Sequence, residues 1–202
     1  MSNLAKLILA SKSPRRIELL KMLNLDFTVM PSAIDESKFN YKNPQELVLR
    51  LAYEKAFDIH TQVEPNKIII GADTIVYIDQ LILGKPKNEA NVISMLSRLS
   101  NRWHEVISGI AIITTDNFGE LVTIQDYEIT KVHFRKLNNT EIESYAKIAE
   151  PYDKAGAYAL QGLGGCFVDK IEGCYANVIG LPLAKMVSLL RQTGVKILDY
   201  CS

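Results

Sequence analysis

The sequence predicts a domain of the α/β or α+β class. Segments with strand-like apolar runs alternate with segments that have the 3.6-residue period of helices, without low-complexity stretches or internal repeats. Of the 202 residues, 48% are hydrophobic and 23% are charged, which is typical of a globular protein. A chain of this length can bury a core without disulfides, so we expect one domain over residues 1–202.

Local signals place the elements of the N-terminal half. The predicted strands are apolar runs, namely Leu4 to Ala10, Phe27 to Pro31 and Lys67 to Ile78. Ser13-Pro14 combines an N-cap residue with a proline at the first helical position, so a helix should begin there and stop near Asn24. Asn43-Pro44-Gln45-Glu46 predicts the start of a second helix, which continues to about Phe57.

The C-terminal half alternates in the same way. The predicted helices are Asn88 to Leu99, one that begins at the capping-box pattern Thr140-Glu141-Ile142-Glu143, and Pro182 to about Gln192. Val106 to Thr115 and Leu121 to Phe134 predict paired strands, which a turn at Asp116-Asn117-Phe118-Gly119 joins.

Composition and charge exclude several function classes. Lys+Arg and Asp+Glu number 23 each, so the chain lacks the cationic excess of a general nucleic-acid or membrane-surface binder. The apolar run from Leu7 to Ala10 is far shorter than the ~20 residues that span a bilayer. Cys166, Cys174 and Cys201 form no C-x-x-C pair, so we expect neither a disulfide framework nor a zinc site, and a reducing cytoplasm fits best.

The first candidate site follows the first strand. Ser11 and Ser13 offer hydroxyls, Arg15 and Arg16 offer guanidinium groups, and the helix beginning at Pro14 offers backbone amides. These are the groups that bind a phosphate. The alternative is that Ser13 only caps the helix and that both arginines are solvated.

Carboxylates form the second candidate site. Asp73 lies within an apolar strand, where its charge needs a partner, a metal ion or an exposed cleft, unless a turn or bulge at Gly71 directs it to water. Asp35-Glu36 adds two more carboxylates, although a solvated loop is the alternative there. Oxygen ligands of this kind suit Mg²⁺ or Mn²⁺, which binds through one or two carboxylates together with substrate phosphates.

Further groups could bind the rest of a phosphorylated ligand. Lys55, late in the second helix, and Lys85, between Gly84 and Pro86, could neutralise polyphosphate charge or remain ordinary surface lysines. Gln161 begins a glycine-rich stretch that could contact a base or a sugar, or form a structural loop.

Several familiar mechanisms lack their motifs. The sequence has no Walker A motif, no complete G-x-G-x-x-G, no G-x-S-x-G and no H-E-x-x-H. No histidine lies in a catalytic motif, and His104, beside the single tryptophan Trp103, is predicted to pack or cap rather than to catalyse.

Separate motifs follow one another along the chain: Ser11-x-Ser13-Pro14-Arg15-Arg16, Arg50-Leu51-Ala52-x-x-Lys55-Ala56, Gly71-Ala72-Asp73-Thr74, Gly84-Lys85-Pro86, Lys154-Ala155-Gly156 through Gln161-Gly162, and Gly180-Leu181-Pro182-Leu183. With these motifs the sequence resembles the Maf family of nucleoside triphosphate pyrophosphatases over nearly its whole length. The resemblance implies a cytoplasmic enzyme, often a homodimer. It also implies a Maf/ITPase-like fold, with an elongated, twisted mixed β-sheet flanked by helices and two lobes around a central cleft.

The resemblance further implies a reaction and the residues that perform it. The reaction is hydrolysis between the α and β phosphates with Mg²⁺ or Mn²⁺ as cofactor, which yields a nucleoside monophosphate and pyrophosphate. Asp73 matches the proton acceptor, and Glu36 and Asp73 are the implied metal ligands. The positions that gather around the phosphates and the metal match Ser11, Arg16, Glu36, Lys55 and Lys85.

Arg15, Thr74 and Gln161 match the positions that distinguish subclasses of the family. Their identities resemble the subclass that acts on dTTP and UTP, and modified pyrimidine nucleotides are further candidate substrates. One alternative is the 7-methyl-GTP subclass, which carries different residues there. Another is a non-catalytic nucleotide-binding regulator of cell division or septation, which would need neither the carboxylates nor Lys85. We expect a nucleotide substrate and no nucleic-acid or membrane partner.

Overall fold

The computed structural model describes residues 6–39, 41–116 and 118–195. Its helices and strands are, in order, β1 Lys6–Leu9, α1 Pro14–Lys21, β2 Phe27–Val29, α2 Pro44–His60, β3 Lys67–Ile78, β4 Leu81–Leu83, α3 Glu89–Leu99, β5 Trp103–Thr115, β6 Leu121–Phe134, α4 Asn139–Ala146, β7 Val168–Glu172, α5 Tyr175–Ile179 and α6 Leu183–Gln192. Short 3₁₀ helices occur at Glu36–Lys38, Glu150–Asp153, Ala155–Ala157 and Leu163–Phe167. The predicted strand residues Leu4 and Ala5, the turn residue Asn117 and Cys201 lie outside the described ranges.

The strands form a mixed seven-stranded sheet accompanied by helices, which confirms the predicted α/β class. The strand order is β2-β1-β3-β5-β6-β7, and β4 pairs with β3. β1 is parallel to both β2 and β3, with Leu7 opposite Phe27 on one side and Ile68 on the other. Parallel strands need crossover connections, and α1 and α2 lie in these connections. β4 is antiparallel to β3, and β7 is antiparallel to β6.

The chain divides into two compact units. The first unit contains the residues up to Asp73, the segment Ser108–Glu128 and the residues from Gly180 onward. The second unit contains Thr74–Ile107 and Ile129–Ile179. The long strands β3, β5 and β6 each contribute residues to both units. The expectation of a single domain over residues 1–202 stays a prediction.

A buried apolar cluster forms part of the core of the first unit. Ala52 and Ala56 of α2 pack there with Ile8, Ile69 and Ile113 of the strands. The small alanine side chains let the helix axis lie close to the strands, so the backbone of α2 approaches the sheet directly.

Aromatic side chains fill the core of the second unit. Phe134 is fully buried, and its ring meets those of His104 and Tyr158 edge-on, at centroid distances of 5.1 and 4.7 Å. His104 Nε2 lies 2.8 Å from the Tyr158 hydroxyl oxygen. His104 therefore packs in the core, as predicted. No disulfide joins Cys166 and Cys174.

The helix α4 corrects one prediction. Its capping box is formed by Asn138 and Glu141, not by Thr140 and Glu143. The Asn138 side chain accepts a hydrogen bond from the Glu141 amide, and the Glu141 carboxylate accepts one from the Asn138 amide, both at 2.9 Å. Arg135, which directly follows β6, also pairs with Glu141 at 2.6 Å and helps to hold Glu141 in the capping position.

The sequence analysis also missed the two short strands β4 and β7. β4 returns from β3 through Asp79 and Gln80, which have φ angles of 52° and 61°, a turn without the glycine that usually signals it. Within the part of the chain that the structure describes, no helix combines the length and the apolar composition that a membrane span requires.

Candidate active site

The helix α2 packs against β3 at a glycine. A Cβ atom on Gly71 would lie 2.0 Å from the carbonyl oxygen of Ala52 and 2.9 Å from the Cβ of Ala56. Only glycine permits this approach. β3 continues through Gly71 without interruption, so the alternative of a turn or bulge there is wrong. The close packing places Lys55 of the helix beside Asp73 of the strand.

Lys55 and Asp73 form a buried ion pair in the first unit. Lys55 Nζ donates to Asp73 Oδ1 at 2.6 Å, and it lies 2.7 Å from Glu36 Oε1. The Lys55 and Asp73 side chains are each 10% exposed, whereas Glu36 is 44% exposed. A single ammonium group therefore links two carboxylates.

Backbone carbonyl groups hold the buried Arg16 guanidinium. Nε donates to the Gly180 oxygen at 2.8 Å, and Nη1 donates to the Ala72 oxygen at 2.7 Å. Burial lowers the pKa of Arg16, and the negative charges of Asp73 and Glu36 oppose this shift. Arginine is basic enough to remain charged. The guanidinium is therefore a fixed cation near both carboxylates.

Ser11 makes the polar contacts at the start of α1. Its buried Oγ accepts a hydrogen bond from the Ser13 amide at 3.2 Å and lies 3.5 Å from Arg16 Nη1. Ser13 occupies the N-cap position, but its hydroxyl makes no capping hydrogen bond. The alternative in which Ser13 simply caps the helix is therefore wrong. A hydroxyl, a guanidinium and a helix N-terminus meet here, which is suitable chemistry for an anion.

A loop held by α2 carries Glu36. Asp58 Oδ2 accepts hydrogen bonds from the Ser32 hydroxyl at 2.7 Å and from the Ala33 amide at 2.9 Å. Asp58 lies three residues after Lys55, so one face of the helix contacts both the start of this loop and Glu36. The sequence analysis missed Asp58, although its spacing from Lys55 was a usable signal. Asp35 itself binds the Ser37 amide and hydroxyl, at 3.1 and 2.6 Å.

The other predicted site residues are Arg15, Thr74, Lys85 and Gln161. Thr74, Lys85 and Gln161 belong to the second unit, and Arg15 is half-buried in the first turn of α1. Thr74 is half-buried next to Asp73, whereas Lys85 and Gln161 are exposed. The residues that the structure brings together in the first unit are Ser11, Arg16, Glu36, Lys55 and Asp73.

Glu36 and Asp73 have the donor chemistry of a Mg²⁺ or Mn²⁺ site. Both are carboxylates, and both contact the same ammonium group. Among the described residues, no group of three or more His, Cys, Asp or Glu side chains is arranged to hold an ion. Mg²⁺ often takes one or two protein carboxylates and completes its coordination with water and substrate phosphates. The two carboxylates therefore fit an ion that binds together with a phosphorylated substrate.

Comparison with models of protein families identifies the family of this chain. The model of the Maf-like protein family matches residues 6–193, and the chain belongs to this family.

Named relatives match over almost their full length. A protein of Acetivibrio thermocellus named dTTP/UTP pyrophosphatase is 45% identical over 201 residues, which cover 96% of this chain and 98% of the relative. A protein of Clostridium botulinum (strain Alaska E43) with the same name is 46% identical over 188 residues, 93% of this chain and 98% of the relative.

Solved structures resemble parts of the chain. The Ham1 protein of Staphylococcus aureus aligns with a TM-score of 0.43 and 16% identity over 64% of this chain and 71% of its own. A nucleoside-triphosphatase, dITP/XTP pyrophosphatase, of Mycobacterium abscessus aligns with a TM-score of 0.39 and 16% identity over 65% and 75% of the two chains. Similarity at this level carries no conclusion about function.

Proposed function

We propose that this protein is a nucleoside triphosphate pyrophosphatase that hydrolyses dTTP and UTP, and related modified pyrimidine nucleotides, to the monophosphate and pyrophosphate. The observation that carries the proposal is the buried Lys55–Asp73 pair beside Arg16, in a chain whose relatives at 45% identity are named dTTP/UTP pyrophosphatases. Hydrolysis between the α and β phosphates places new negative charge on a diphosphate leaving group. Preorganised cations stabilise such charge.

Each residue of the cluster has a role in this proposal. Asp73 accepts a proton from the attacking water, while Lys55 Nζ donates to its Oδ1 and holds the carboxylate in place. Arg16 and Lys55, together with Lys85, stabilise the phosphate charge. Ser11 and the first amides of α1 bind the phosphate tail and orient it for in-line attack.

Glu36 and Asp73 hold a divalent cation in the proposed enzyme. When bound, Mg²⁺ or Mn²⁺ neutralises phosphate charge and polarises a phosphoryl oxygen. The proposed metal site is supported by the two carboxylates that share Lys55. Two carboxylates match the small number of protein ligands that Mg²⁺ needs when it binds with a triphosphate.

Arg15, Thr74 and Gln161 select the base. Uracil and thymine present two carbonyl acceptors around one N–H donor, and guanidinium, hydroxyl and amide groups can match that edge. A mismatched base leaves polar groups without hydrogen-bond partners, and each such group weakens binding by a desolvation penalty of about 1 to 3 kcal/mol. One or two such mismatches correspond to discrimination of about tenfold to several hundredfold against purines.

A substrate panel tests the proposal. The values of kcat/KM for dTTP, UTP, CTP, GTP, ATP and 7-methyl-GTP are measured with Mg²⁺ or Mn²⁺, and the products are identified. We expect monophosphate and pyrophosphate, with dTTP and UTP preferred over purines by at least about tenfold. Gln161→Glu and Arg15→Ala should reduce that preference.

Other outcomes of the panel would contradict the proposal. Equal efficiency on purines and pyrimidines contradicts the substrate class, and release of orthophosphate with a diphosphate contradicts the reaction. Preference for 7-methyl-GTP would indicate the other subclass. Tight nucleotide binding without turnover would indicate a regulator.

The proposed enzyme works in the cytoplasm as a homodimer. The family resemblance of the sequence motifs supports both statements. Light scattering coupled to gel filtration tests the oligomeric state, and a monomer across micromolar concentrations would contradict it.

A further inference from the structure

The Glu150 carboxylate binds the backbone that follows Gln161. Its Oε1 accepts hydrogen bonds from the Tyr145 hydroxyl at 2.8 Å and from the Gly164 amide at 2.9 Å, and its Oε2 accepts one from the Leu163 amide at 3.0 Å. Both amides belong to the first turn of the 3₁₀ helix Leu163–Phe167, where backbone donors lack partners within the helix. A side chain from outside this segment therefore caps it.

The glycines of the segment fit closely around this carboxylate. A Cβ atom on Gly162 would lie 2.7 Å from both carboxylate oxygens of Glu150, and one on Gly164 would lie 2.8 Å from the Tyr145 hydroxyl. A Cβ atom on Gly165 would lie 2.5 Å from the Leu160 carbonyl oxygen. The backbone on the C-terminal side of Gln161 is therefore set by contact with Glu150 and Tyr145.

Glu150 is itself held in place and ionised. Lys154 Nζ donates to the Glu150 carbonyl oxygen at 2.7 Å. Burial opposes ionisation of the carboxyl group, but the hydrogen bonds from Gly164, Tyr145 and Leu163 outweigh it and lower the pKa of Glu150. Hydrogen bonds to a charged acceptor are the stronger kind, so the ionised group is an effective anchor.

We propose that Glu150 is a positioning residue for base selectivity, because it fixes the backbone from which Gln161 presents its amide to a pyrimidine. The inference rests on the proposed function, in which Gln161 recognises the base. Gln161 is exposed and lies directly before Gly162, so its position depends on how that backbone is anchored. A group that is fixed before the ligand arrives loses less entropy on binding.

Four variants test this role. Glu150→Gln, Gln161→Ala and the double variant are compared with the wild type on dTTP and GTP, and Glu143→Gln, at an exposed position of α4, is the matched control. We expect Glu150→Gln to lower the ratio of kcat/KM for dTTP to that for GTP about tenfold, mainly through a higher KM for dTTP. It should have little further effect in the Gln161→Ala background, since both residues act through one contact.

Amide hydrogen exchange supplies an independent readout. The Leu163 and Gly164 amides should exchange faster in Glu150→Gln, while those of α2 should not change. An unchanged selectivity ratio in folded Glu150→Gln, an equal loss for both nucleotides, or a loss that adds fully to that of Gln161→Ala would overturn the inference.

A second variant tests the same role if Glu150→Gln does not fold. Tyr145→Phe removes one donor to the carboxylate and keeps the ring, so we expect a drop in the ratio of about threefold, and an unchanged ratio would overturn the inference. A wild-type enzyme without preference for dTTP over GTP would contradict the proposed function and this role together, and it is recognised before any variant is compared.

Discussion

The Lys55 ammonium lies 2.6 Å from Asp73 Oδ1, and each side chain is only 10% exposed. This pair depends on Gly71, because any side chain there would separate α2 from β3. Removing one member of a buried pair leaves an uncompensated charge, which costs more than the pair itself contributes. The same contact therefore bears on both stability and the proposed chemistry.

We expect Lys55→Met to lower the free energy of unfolding by about 3 to 5 kcal/mol, since the Asp73 carboxylate loses its buried partner. Adding Asp73→Asn should recover much of the loss. Urea denaturation measures both effects. The control is Arg50→Met, which removes the exposed partner of Glu54 on the same helix and should cost less than about 1 kcal/mol. Equal destabilisation of the single and double variants would indicate that Lys55 acts through packing alone.

Asp73→Asn should lower kcat at least about 100-fold, because the amide cannot accept the proton of the attacking water. The fold and part of the nucleotide affinity should persist, because the amide oxygen can still accept from Lys55. Steady-state pyrophosphate release and equilibrium nucleotide binding check the two statements. A near-normal kcat would remove Asp73 from the mechanism.

Lys85→Ala should weaken catalysis without unfolding the protein. Lys85 is exposed, so shortening its side chain to alanine opens no cavity in the core. Lys87→Ala, at an exposed lysine two residues away, is the matched control for loss of surface charge. Both thermal stability and activity per folded molecule are measured. A lower melting temperature with unchanged activity would indicate a structural role for Lys85.

Asp58→Ala should raise the Mg²⁺ concentration that gives half-maximal activity by about tenfold, the lower range for losing a group that orients a metal ligand. The reason is that Asp58 holds Ser32 and Ala33, and with them the loop that carries Glu36. Chelator-treated enzyme is titrated with Mg²⁺, and Glu54→Ala on the same helix is the control. Chelation without loss of activity would contradict the metal site, and an unshifted titration would contradict the role of Asp58.

His104 should make the protein less stable in acid. Burial, together with the nearby His133, lowers the pKa of His104 from 6.5 to about 3. The unfolded chain therefore binds a proton below pH 6.5 that the folded chain does not bind. The contribution of His104 to the free energy of unfolding is complete above pH 6.5 and is lost as the pH falls toward 3. The slope approaches about 1.4 kcal/mol per pH unit.

Denaturation at a series of pH values checks the prediction for His104. His104→Gln should lose stability less steeply below pH 6.5, whereas His60→Gln, at the end of α2, should follow the wild type. Parallel curves for the wild type and His104→Gln would exclude His104 as the source of the acid sensitivity.

The local sequence was informative wherever neighbouring residues determine structure. Lys67–Ile78 is a strand with the predicted limits, and α1 begins at Pro14 as the Ser13-Pro14 signal indicated. β-branched runs and helix-start prolines act through their own backbone, so they can be recognised without tertiary contacts. The short strands β4 and β7 lack such strong signals, and pairing with β3 and β6 defines them.

The sequence by itself determined the α/β class, the family motifs and the residue types of a phosphate and metal site. Only the tertiary structure decided that Lys55 bridges Asp73 and Glu36, that Gly71 is a packing contact, and that Asp58 and Glu150 hold distant loops. Lys55 and Asp73 are 18 residues apart, and Glu150 and Gly164 are 14 apart, on different elements. Such pairs depend on how helices and strands pack, and close packing of side chains and backbone is not encoded in local periodicity.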